Sequence, residues 1–279
     1  MNISTYAELF KDAHPDRFVE MFIAEQQMVA AAVGIQVLGW KTYASTFAAF
    51  LSRAYDFARM AAVSQATLKL CGSHAGVSIG EDGPSQMGLE DLAEFRALNG
   101  STVLYPSDGN QTVALVRAMA NLDGIAYLRT TRADLGILYA SDETFPLGGS
   151  KTLRDGDDVA IVAAGITLHE ALRAADALAE EGVSARVIDC YSVKPIDGDT
   201  LAGLGMPIVT VEDHRAEGGL GEAVLSALAE RGASLPVTVL AVRALPKSGP
   251  PAALLAEVGI DAEHIAEAAR AAARAAVPG

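Results

Sequence analysis

The chain has 279 residues, of which 51% are hydrophobic and 20% charged, so it has ample apolar material for one or two folded domains. Its formal net charge is −14, and no run of Arg or Lys interrupts this acidity, which argues against nucleic-acid binding. No apolar run is long enough to span a membrane, and the first residues lack the apolar core of a signal peptide. The two cysteines, Cys71 and Cys190, lie far apart, which favours a reduced, cytoplasmic setting over a disulfide scaffold.

Strand-like and helix-like segments alternate along the chain at a spacing that predicts α/β domains, each a mostly parallel sheet flanked by helices. The first half contains predicted strands at 17–23, 68–71, 102–105 and 125–130, predicted helices at 6–12, 24–37, 52–66, 89–98 and 110–121, and a strand that turns into a helix over 41–50. The second half contains predicted strands at 159–163, 185–189, 207–211 and 237–241 and predicted helices at 167–181, 218–231 and 262–276. A polar stretch with paired glycines separates the halves, so we predict domains at 1–140 and 159–279 joined by a linker at 141–158.

The stretch 71–87, CGSHAGVSIGEDGPSQM, is the least typical of a hydrophobic core. It has neither a helical nor a strand period, and its glycines cost backbone entropy on folding. Long loops in compact domains are usually functional or disordered, and we interpret this one as an ordered loop that presents polar side chains to a site. These side chains are His74, Glu81, Asp82 and Gln86. A metal site is not favoured, because no second histidine or cysteine lies at ligand spacing.

Three other groups have a structural and a functional interpretation. Glu25 opens an apolar helix, where the helix dipole alone would stabilise an acid. Phe47 and Phe50 are three residues apart and either pack in the core or form a flat wall for an aromatic ring. Arg129 and Arg132 follow a predicted strand, where parallel sheets bind ligands, and either hold a phosphate or form surface ion pairs.

Two glycine-rich or acidic runs in the second half resemble catalytic motifs only in part. The run 218–221, GGLG, lacks the third glycine of a dinucleotide fingerprint, and we interpret it as close backbone packing at a helix start. The run 212–214, EDH, is not interpreted as a catalytic triad, because adjacent residues cannot face one another and no G-x-S-x-G elbow is present.

Several motifs together carry a resemblance to a known family: HPDRF (14–18), IAEQ (23–26), STFAAF (45–50), GSHAGVSIGEDGPSQM (72–87), LEDLAEFR (89–96), YPSDG (105–109), RTTR (129–132) and VEDHRAEGGLGEAV (211–224). They resemble the C-terminal half of transketolase, and the resemblance covers nearly the whole chain from about Ser4 onward. It implies a pyrimidine-binding domain followed by a transketolase C-terminal domain. It also implies transfer of a two-carbon ketol unit from a ketose phosphate to an aldose with thiamine diphosphate as cofactor.

The same resemblance assigns roles on the cofactor side of the site. Glu25 would hydrogen-bond the aminopyrimidine ring nitrogen of thiamine diphosphate, and Phe47 and Phe50 would line the aminopyrimidine pocket. Glu25, His74 and Gln86 would be the catalytic residues.

On the substrate side, the resemblance implies that His74, Asp82 and Gln86 meet sugar hydroxyls or phosphate. Arg132, together with His74 and Ser4, would hold the phosphate end of the sugar. Many microbial members have histidine where Gln86 stands, so this position follows the animal-type pattern.

The sequence departs from the family pattern in what it lacks. No GDG followed by a distant asparagine is present, so the diphosphate and Mg²⁺ are expected on a separate diphosphate-binding partner subunit, in an α2β2 heterotetramer. The first helix and strand of the pyrimidine-binding domain are also missing. We therefore predict the small subunit of a two-component transketolase. The alternatives are a split thiamine-diphosphate ketol or acyl transferase with a specialised biosynthetic acceptor, and a non-catalytic partner subunit.

Overall fold

The first half of the chain builds one sheet, which borrows a strand from the second half. In the computed structural model, which describes residues 3–276, this sheet has the order β1-β2-β4-β3-β8. Its strands are β1 (Tyr43–Phe47), β2 (Leu68–Ser73), β3 (Thr102–Leu104), β4 (Ile125–Arg129) and β8 (Ser192–Lys194). Its neighbouring strands pair in parallel except β3 and β8, which are antiparallel.

The second half builds another sheet with the order β10-β9-β6-β7-β5. Its strands are β5 (Lys151–Arg154), β6 (Val159–Ala163), β7 (Ala185–Asp189), β9 (Ile208–Val211) and β10 (Val237–Leu240). All pairings are parallel except that of β5 with β7. The chain passes from β6 to β7 on one side of β6 and then returns to place β9 on its other side.

Helices cover both faces of each sheet. In the first half they are α2 (Glu25–Val37), α3 (Ala48–Leu51), α4 (Tyr55–Val63), α5 (Asp91–Ala97) and α6 (Gly109–Met119), whereas α1 (Ala7–Ala13) precedes them and has no buried residue. In the second half they are α7 (Ile166–Glu180), α8 (Gly198–Ala202), α9 (Leu220–Glu230), α10 (Pro251–Glu257) and α11 (Ala262–Ala276). Every residue of β4 and β6 is buried, which explains their continuous apolar sequences. The predicted α/β fold class is confirmed.

Side chains along β4 and β6 alternate between two different cores, as a strand period of two requires. Ile125 and Tyr127 pack in one core with α2 and α4, while Ala126 and Leu128 pack in another with α6. The first of these cores continues into the second half, where it includes residues of β6 and α9. The two sheets therefore share one hydrophobic core, and β8 joins them by pairing with β3.

Most predicted elements are confirmed within two or three residues at each end. The strands at 159–163 and 185–189 and the helix at 262–276 have the predicted bounds. The Asp108 side chain caps α6, since it accepts a 2.7 Å hydrogen bond from the Gln111 backbone N–H.

The strand predicted at 17–23 is wrong. Residues 15–17 form a 3₁₀ turn, the rest of the segment has no strand partner, and Phe22 has a φ of +54°. Val19, Phe22 and Ile23 are 58%, 77% and 74% exposed. The apolar pattern predicts burial, but nothing in the described part of the chain buries these side chains.

The sequence pattern does not predict the short elements β5, β8, α8 and α10, and the first of these lies in the predicted linker. β5 lies inside the predicted linker at 141–158. It is an edge strand of the second sheet and pairs antiparallel with β7. The domain limits at 1–140 and 159–279 stay a prediction.

A buried guanidinium lies where the two halves meet. The Arg129 side chain is fully buried and its Nε lies 2.9 Å from Asp91 Oδ2. Its Nη2 donates to the carbonyl oxygens of Gly88 at 2.9 Å and Asp213 at 2.7 Å, and its guanidinium lies over the Tyr105 ring at 4.5 Å. The interpretation of Arg129 as a phosphate ligand or a surface ion pair is wrong, because its charge is neutralised inside the protein.

A second polar cluster joins the halves further along the sheet edge. The buried Asp189 carboxylate, at the end of β7, accepts hydrogen bonds from Ser107 at 3.1 Å and from Gln111 and Tyr139 at 2.7 Å each. Burial raises the pKa of Asp189 to about 6, although these three donors oppose the shift.

Arg129→Met should destabilise the fold by about 3–5 kcal/mol, because it leaves the Asp91 carboxylate buried without its cation. Adding Asp91→Asn to that variant should recover part of the loss. Arg132→Met is the matched control: its exposed ion pair with Asp82 is worth at most about 1 kcal/mol. Urea denaturation of the three variants measures this, and equal losses for Arg129→Met and Arg132→Met would contradict it.

Candidate active site

The predicted site residues gather at the edge of the first sheet where parallel strands end. β1 ends at Phe47, β2 ends at Ser73 next to His74, and β4 ends at Arg129, three residues before Arg132. The register pairs Phe47 with Ser73 and places both at the same height. Carboxyl ends of parallel strands are the usual ligand-binding edge of such sheets.

Three rings form a continuous stack on this edge. The centroids of Phe47 and Phe50 are 5.6 Å apart with an angle of 12° between the rings, and those of Phe47 and His74 are 3.9 Å apart at 19°. His74 has a φ of +57°, and its Nδ1 lies 2.9 Å from the Ser73 hydroxyl. Phe47 is only 5% exposed and packs in the hydrophobic core, as the structural interpretation predicts, so only the half-buried rings of Phe50 and His74 have surface left for an aromatic ligand.

The loop after β2 is closed at its base and ordered inside. The Gly76 N–H donates to the Gly88 carbonyl at 2.9 Å, and Ala75 and Gly88 form an isolated bridge. A 3₁₀ segment at Val77–Asp82 follows, and its Val77 and Ser78 are fully buried. The prediction of an ordered loop is confirmed.

An ion pair connects this loop to the end of β4. Arg132 Nη1 lies 3.2 Å from Asp82 Oδ1 and donates to the Ile79 carbonyl at 3.2 Å. Both charged side chains remain partly exposed, so they are accessible to a ligand. A surface ion pair is thus present at Arg132, and its predicted phosphate role is compatible with this geometry but stays a prediction.

Within residues 3–276, no hydrogen bond joins the remaining predicted substrate residues to the ring stack. Gln86 is half-buried in a turn, where its N–H donates to the Gly83 carbonyl at 3.0 Å. Ser4 lies in an exposed turn before α1, and among residues 3–276 no hydrogen bond joins it to His74 or Arg132. Glu81 is exposed. The roles predicted for Ser4 and Gln86 stay predictions.

Glu25 lies buried at the first residue of α2. Its side chain is 3% exposed, and its Oε2 accepts no hydrogen bond. Arg53 Nη1 forms an ion pair with Oε2 at 3.1 Å, and the same Nη1 is 3.4 Å from the Ile23 carbonyl. Arg53 is half-exposed and lies three residues after Phe50. The buried Oε2 is thus ion-paired with Arg53 but accepts no hydrogen bond from residues 3–276.

Burial and neighbouring charge both act on His74. Partial burial lowers its pKa, the Arg132 guanidinium lowers it further, and Asp82 opposes the shift. His74 is therefore held mainly as the neutral imidazole near neutral pH, able to donate one hydrogen bond and accept another.

The EDH and GGLG runs have structural roles, as interpreted from the sequence. Glu212 Oε2 and Oε1 accept the N–H groups of Leu220 at 2.5 Å and Gly221 at 2.9 Å, which caps α9. A Cβ at Gly219 would collide with the Glu212 carboxylate, so close packing requires glycine there. His214 is fully buried and its Nδ1 lies 2.7 Å from the Arg215 carbonyl oxygen.

Family models and relatives agree on what this chain is similar to. Residues 1–137 match the transketolase pyrimidine-binding domain and residues 148–265 match the transketolase C-terminal domain. A solved structure of a split-gene transketolase, an inactive β4 tetramer, has a TM-score of 0.88 at 36% identity over 97% of this chain and 88% of that one.

The chain belongs to the transketolase family. Human transketolase is 50% identical over 274 residues, which is 96% of this chain and 44% of that protein. The bovine transketolase-like protein 1 is 50% identical over 269 residues, 94% of this chain and 45% of that protein. The chain thus spans less than half the length of these relatives.

The family depends on thiamine diphosphate, and the described residues fit its pyrimidine half. Glu25 offers a buried oxygen that accepts no hydrogen bond from residues 3–276, and Phe50 and His74, stacked with the buried Phe47, offer half-buried aromatic rings. Between residues 3 and 276, no group of three or more His, Cys, Asp or Glu side chains is placed to hold a metal. None of the helices described is both long and apolar enough to cross a membrane.

Sequence reasoning missed two residues next to the site. Arg53 beside Glu25 has no local signal, since it is one of several arginines on a helical stretch. Asp213 contacts the loop backbone at Val77 and Ser78, whereas its sequence motif suggests only a catalytic triad, which is rejected above. Its position directly after a buried strand could have marked it, because that is where parallel sheets bind ligands.

Two charge changes should move the pKa of His74 in opposite directions. Arg132→Gln should raise it, because a neighbouring cation is removed and Asp82 is left unpaired. Asp82→Asn should lower it, because the opposing anion is lost. Titration of the imidazole by ¹⁵N NMR measures both, and shifts of the same sign would contradict this geometry.

Proposed function

We propose that this chain is the pyrimidine-binding component of a two-component transketolase. It transfers a two-carbon ketol unit from a ketose phosphate to an aldose acceptor, together with a partner subunit. The observation that carries the proposal is the buried Glu25 carboxylate, whose Oε2 is ion-paired with the half-exposed Arg53 but accepts no hydrogen bond from residues 3–276. A purely structural acid at a helix start would be exposed or hydrogen-bonded within its own chain.

In this proposal the chain holds the aminopyrimidine half of thiamine diphosphate. Glu25 shares a proton with the ring nitrogen, and Phe47 and Phe50 fix the plane of the ring from one side. When bound, the cofactor supplies the carbon nucleophile and the electron sink for breaking and forming the carbon–carbon bond. The chain's task is to orient the cofactor and to exclude water from it.

The substrate is held by the loop and by the end of β4. His74 and Asp82 would meet sugar hydroxyls, and Arg132 would exchange part of its ion pair with Asp82 for the phosphate of the sugar. Gln86 and Ser4 would complete this set. The net charge of −14 gives no general attraction for phosphosugars, so a local cation at Arg132 is needed.

The proposed partner is a diphosphate-binding subunit that holds the diphosphate and Mg²⁺, in an α2β2 assembly. The segment just before Glu25 supports this, because it exposes three large apolar side chains within five residues, those of Val19, Phe22 and Ile23. The similar split-gene protein is described as inactive in its β4 form, which supports dependence on another subunit. A cytoplasmic location belongs to the same proposal, with Cys71 and Cys190 as free thiols.

Reconstitution tests the assignment. We expect no turnover of xylulose-type ketose phosphates by this chain alone with thiamine diphosphate and Mg²⁺. Co-expression with a diphosphate-binding transketolase subunit from the same genome should give turnover, with a lower KM for phosphorylated than for unphosphorylated ketoses. Full activity of the isolated chain would contradict the two-component model, and an equal KM for both ketoses would contradict the role of Arg132.

Glu25→Gln should reduce kcat of the reconstituted complex by at least about 100-fold, the usual scale of acid–base assistance. Glutamine keeps the shape but cannot share a proton with a ring nitrogen in the same way. Glu20→Gln is the matched control: it makes the same charge change five residues earlier and keeps an oxygen for the Phe22 N–H. Unchanged turnover in Glu25→Gln would identify the chain as a non-catalytic partner.

A further inference from the structure

The second sheet has a ligand-type crevice of its own, and that crevice is filled from inside the chain. In the order β9-β6-β7 the chain leaves β6 in one direction and returns on the other side, so the strand order reverses between β6 and β9. Ligands of open α/β sheets bind beyond the carboxyl ends of strands at such a point. Here Gly165 follows β6 and Asp213 follows β9.

The occupant of this crevice is the loop of the first half. Asp213 Oδ1 accepts the Val77 N–H at 2.8 Å, and Oδ2 lies 3.5 Å from the Ser78 nitrogen. Gly76, with a φ of +84°, lies against the carboxylate, and a Cβ there would collide with it. Asp213, Val77 and Ser78 are all fully buried. The apolar side chains of Val77 and Ile79 pack in the hydrophobic core of the second half, and the Asp213 carboxylate adds a charged, directional contact to the loop backbone.

The residues that Asp213 holds are flanked in sequence by the predicted substrate-binding side chains. His74 lies two residues before Gly76, and Asp82 ends a second 3₁₀ turn, which a kink at Gly80 (φ +81°) separates from the turn that Asp213 holds. The Ser78 hydroxyl lies 2.7 Å from that of Thr131, the residue before Arg132. A shift of the loop at Val77 would therefore move the predicted sugar-binding groups together.

The other face of the segment is also bounded by the second half. A Cβ at Gly80 would come within 3.1–3.2 Å of Gly249 and Pro251, at the start of α10. The segment thus lies between two elements of the second half, and among residues 3–276 the Asp213 carboxylate is the charged group of that half that hydrogen-bonds it.

We propose that Asp213 is a positioning residue, which holds the Gly76–Asp82 loop in the switch-point crevice of the second sheet and so sets the substrate-facing geometry of His74, Asp82 and Arg132. The catalytic part of this inference rests on the proposed function. The structural part does not, because it concerns the order of a loop within this chain. It gives the second half a task in the reaction without any contact with the substrate.

The experiment compares graded variants of Asp213 with matched variants of Asp189. Asp213→Ala removes both acceptors, whereas Asp213→Asn keeps one oxygen for the Val77 N–H. Asp189→Ala and Asp189→Asn change another fully buried carboxylate between the two halves, whose partners are Ser107, Gln111 and Tyr139. Amide hydrogen exchange of the full chain is followed in peptides covering 74–83.

Exchange of these peptides should be about 10- to 100-fold faster in Asp213→Ala, the scale expected for losing a hydrogen bond to a charged acceptor. Asp213→Asn should give an intermediate rate, and the Asp189 variants should leave this region unchanged. Equal acceleration by the Asp189 variants would overturn the proposal by showing general loosening, and no acceleration in Asp213→Ala would overturn it directly. If Asp213→Ala does not fold, the comparison of Asp213→Asn with Asp189→Asn decides.

In the reconstituted complex, Asp213→Asn should raise KM for the ketose phosphate about 10-fold, with a smaller change in kcat, because sugar-binding groups lose their alignment. A lower kcat at unchanged KM would overturn the catalytic part. If the complex had no transketolase activity at all, the proposed function would fail, while the exchange measurement would still test the positioning of the loop.

Discussion

The buried guanidinium of Arg129 is the constraint on which the arrangement of the two halves depends. A cation with no exposed surface is tolerated only if anions and carbonyl groups surround it in good geometry. Its partners come from the loop exit at Gly88, from α5 through Asp91 and from the second sheet through the Asp213 carbonyl. Because all of them must be present together, the end of the loop and the docking of the second half are fixed by the same group.

The sequence was sufficient wherever burial alone decides the structure. β4 and β6 are buried on both faces, so a short apolar run predicts them directly, and their bounds agree within a residue. The segment 17–23 shows the limit of the same argument, because its apolar side chains point away from this chain. β8 shows another limit: three residues carry too little pattern, and their pairing with β3 depends on a contact about 90 residues away in sequence.

Family motifs and residue spacing made different predictions for the candidate site. The motifs imply that Phe47 and Phe50 line a pocket, whereas spacing alone left core packing open. Phe47 is 5% exposed in the hydrophobic core and stacks on His74, while Phe50 is half-buried. Arg129 and Arg132 look equivalent in sequence, yet one is buried against Asp91 and the other is half-exposed. The rule that ligands bind at strand ends predicts where a charged side chain lies but not whether it is buried or exposed. Burial depends on helices and loops from elsewhere in the chain.

The loop that carries His74 therefore has two very different sides. On one side, Asp213 and the start of α10 enclose it, so its backbone is fixed before any substrate arrives. On the other side, His74, Asp82 and Arg132 remain at least partly exposed. The buried Glu25 Oε2, ion-paired with Arg53 but without a hydrogen bond from residues 3–276, follows directly after an exposed apolar segment. A site that is rigid on its inner side and open on its outer side can be completed by docking a second rigid surface. Preorganisation of this kind lowers the entropy that such docking must overcome.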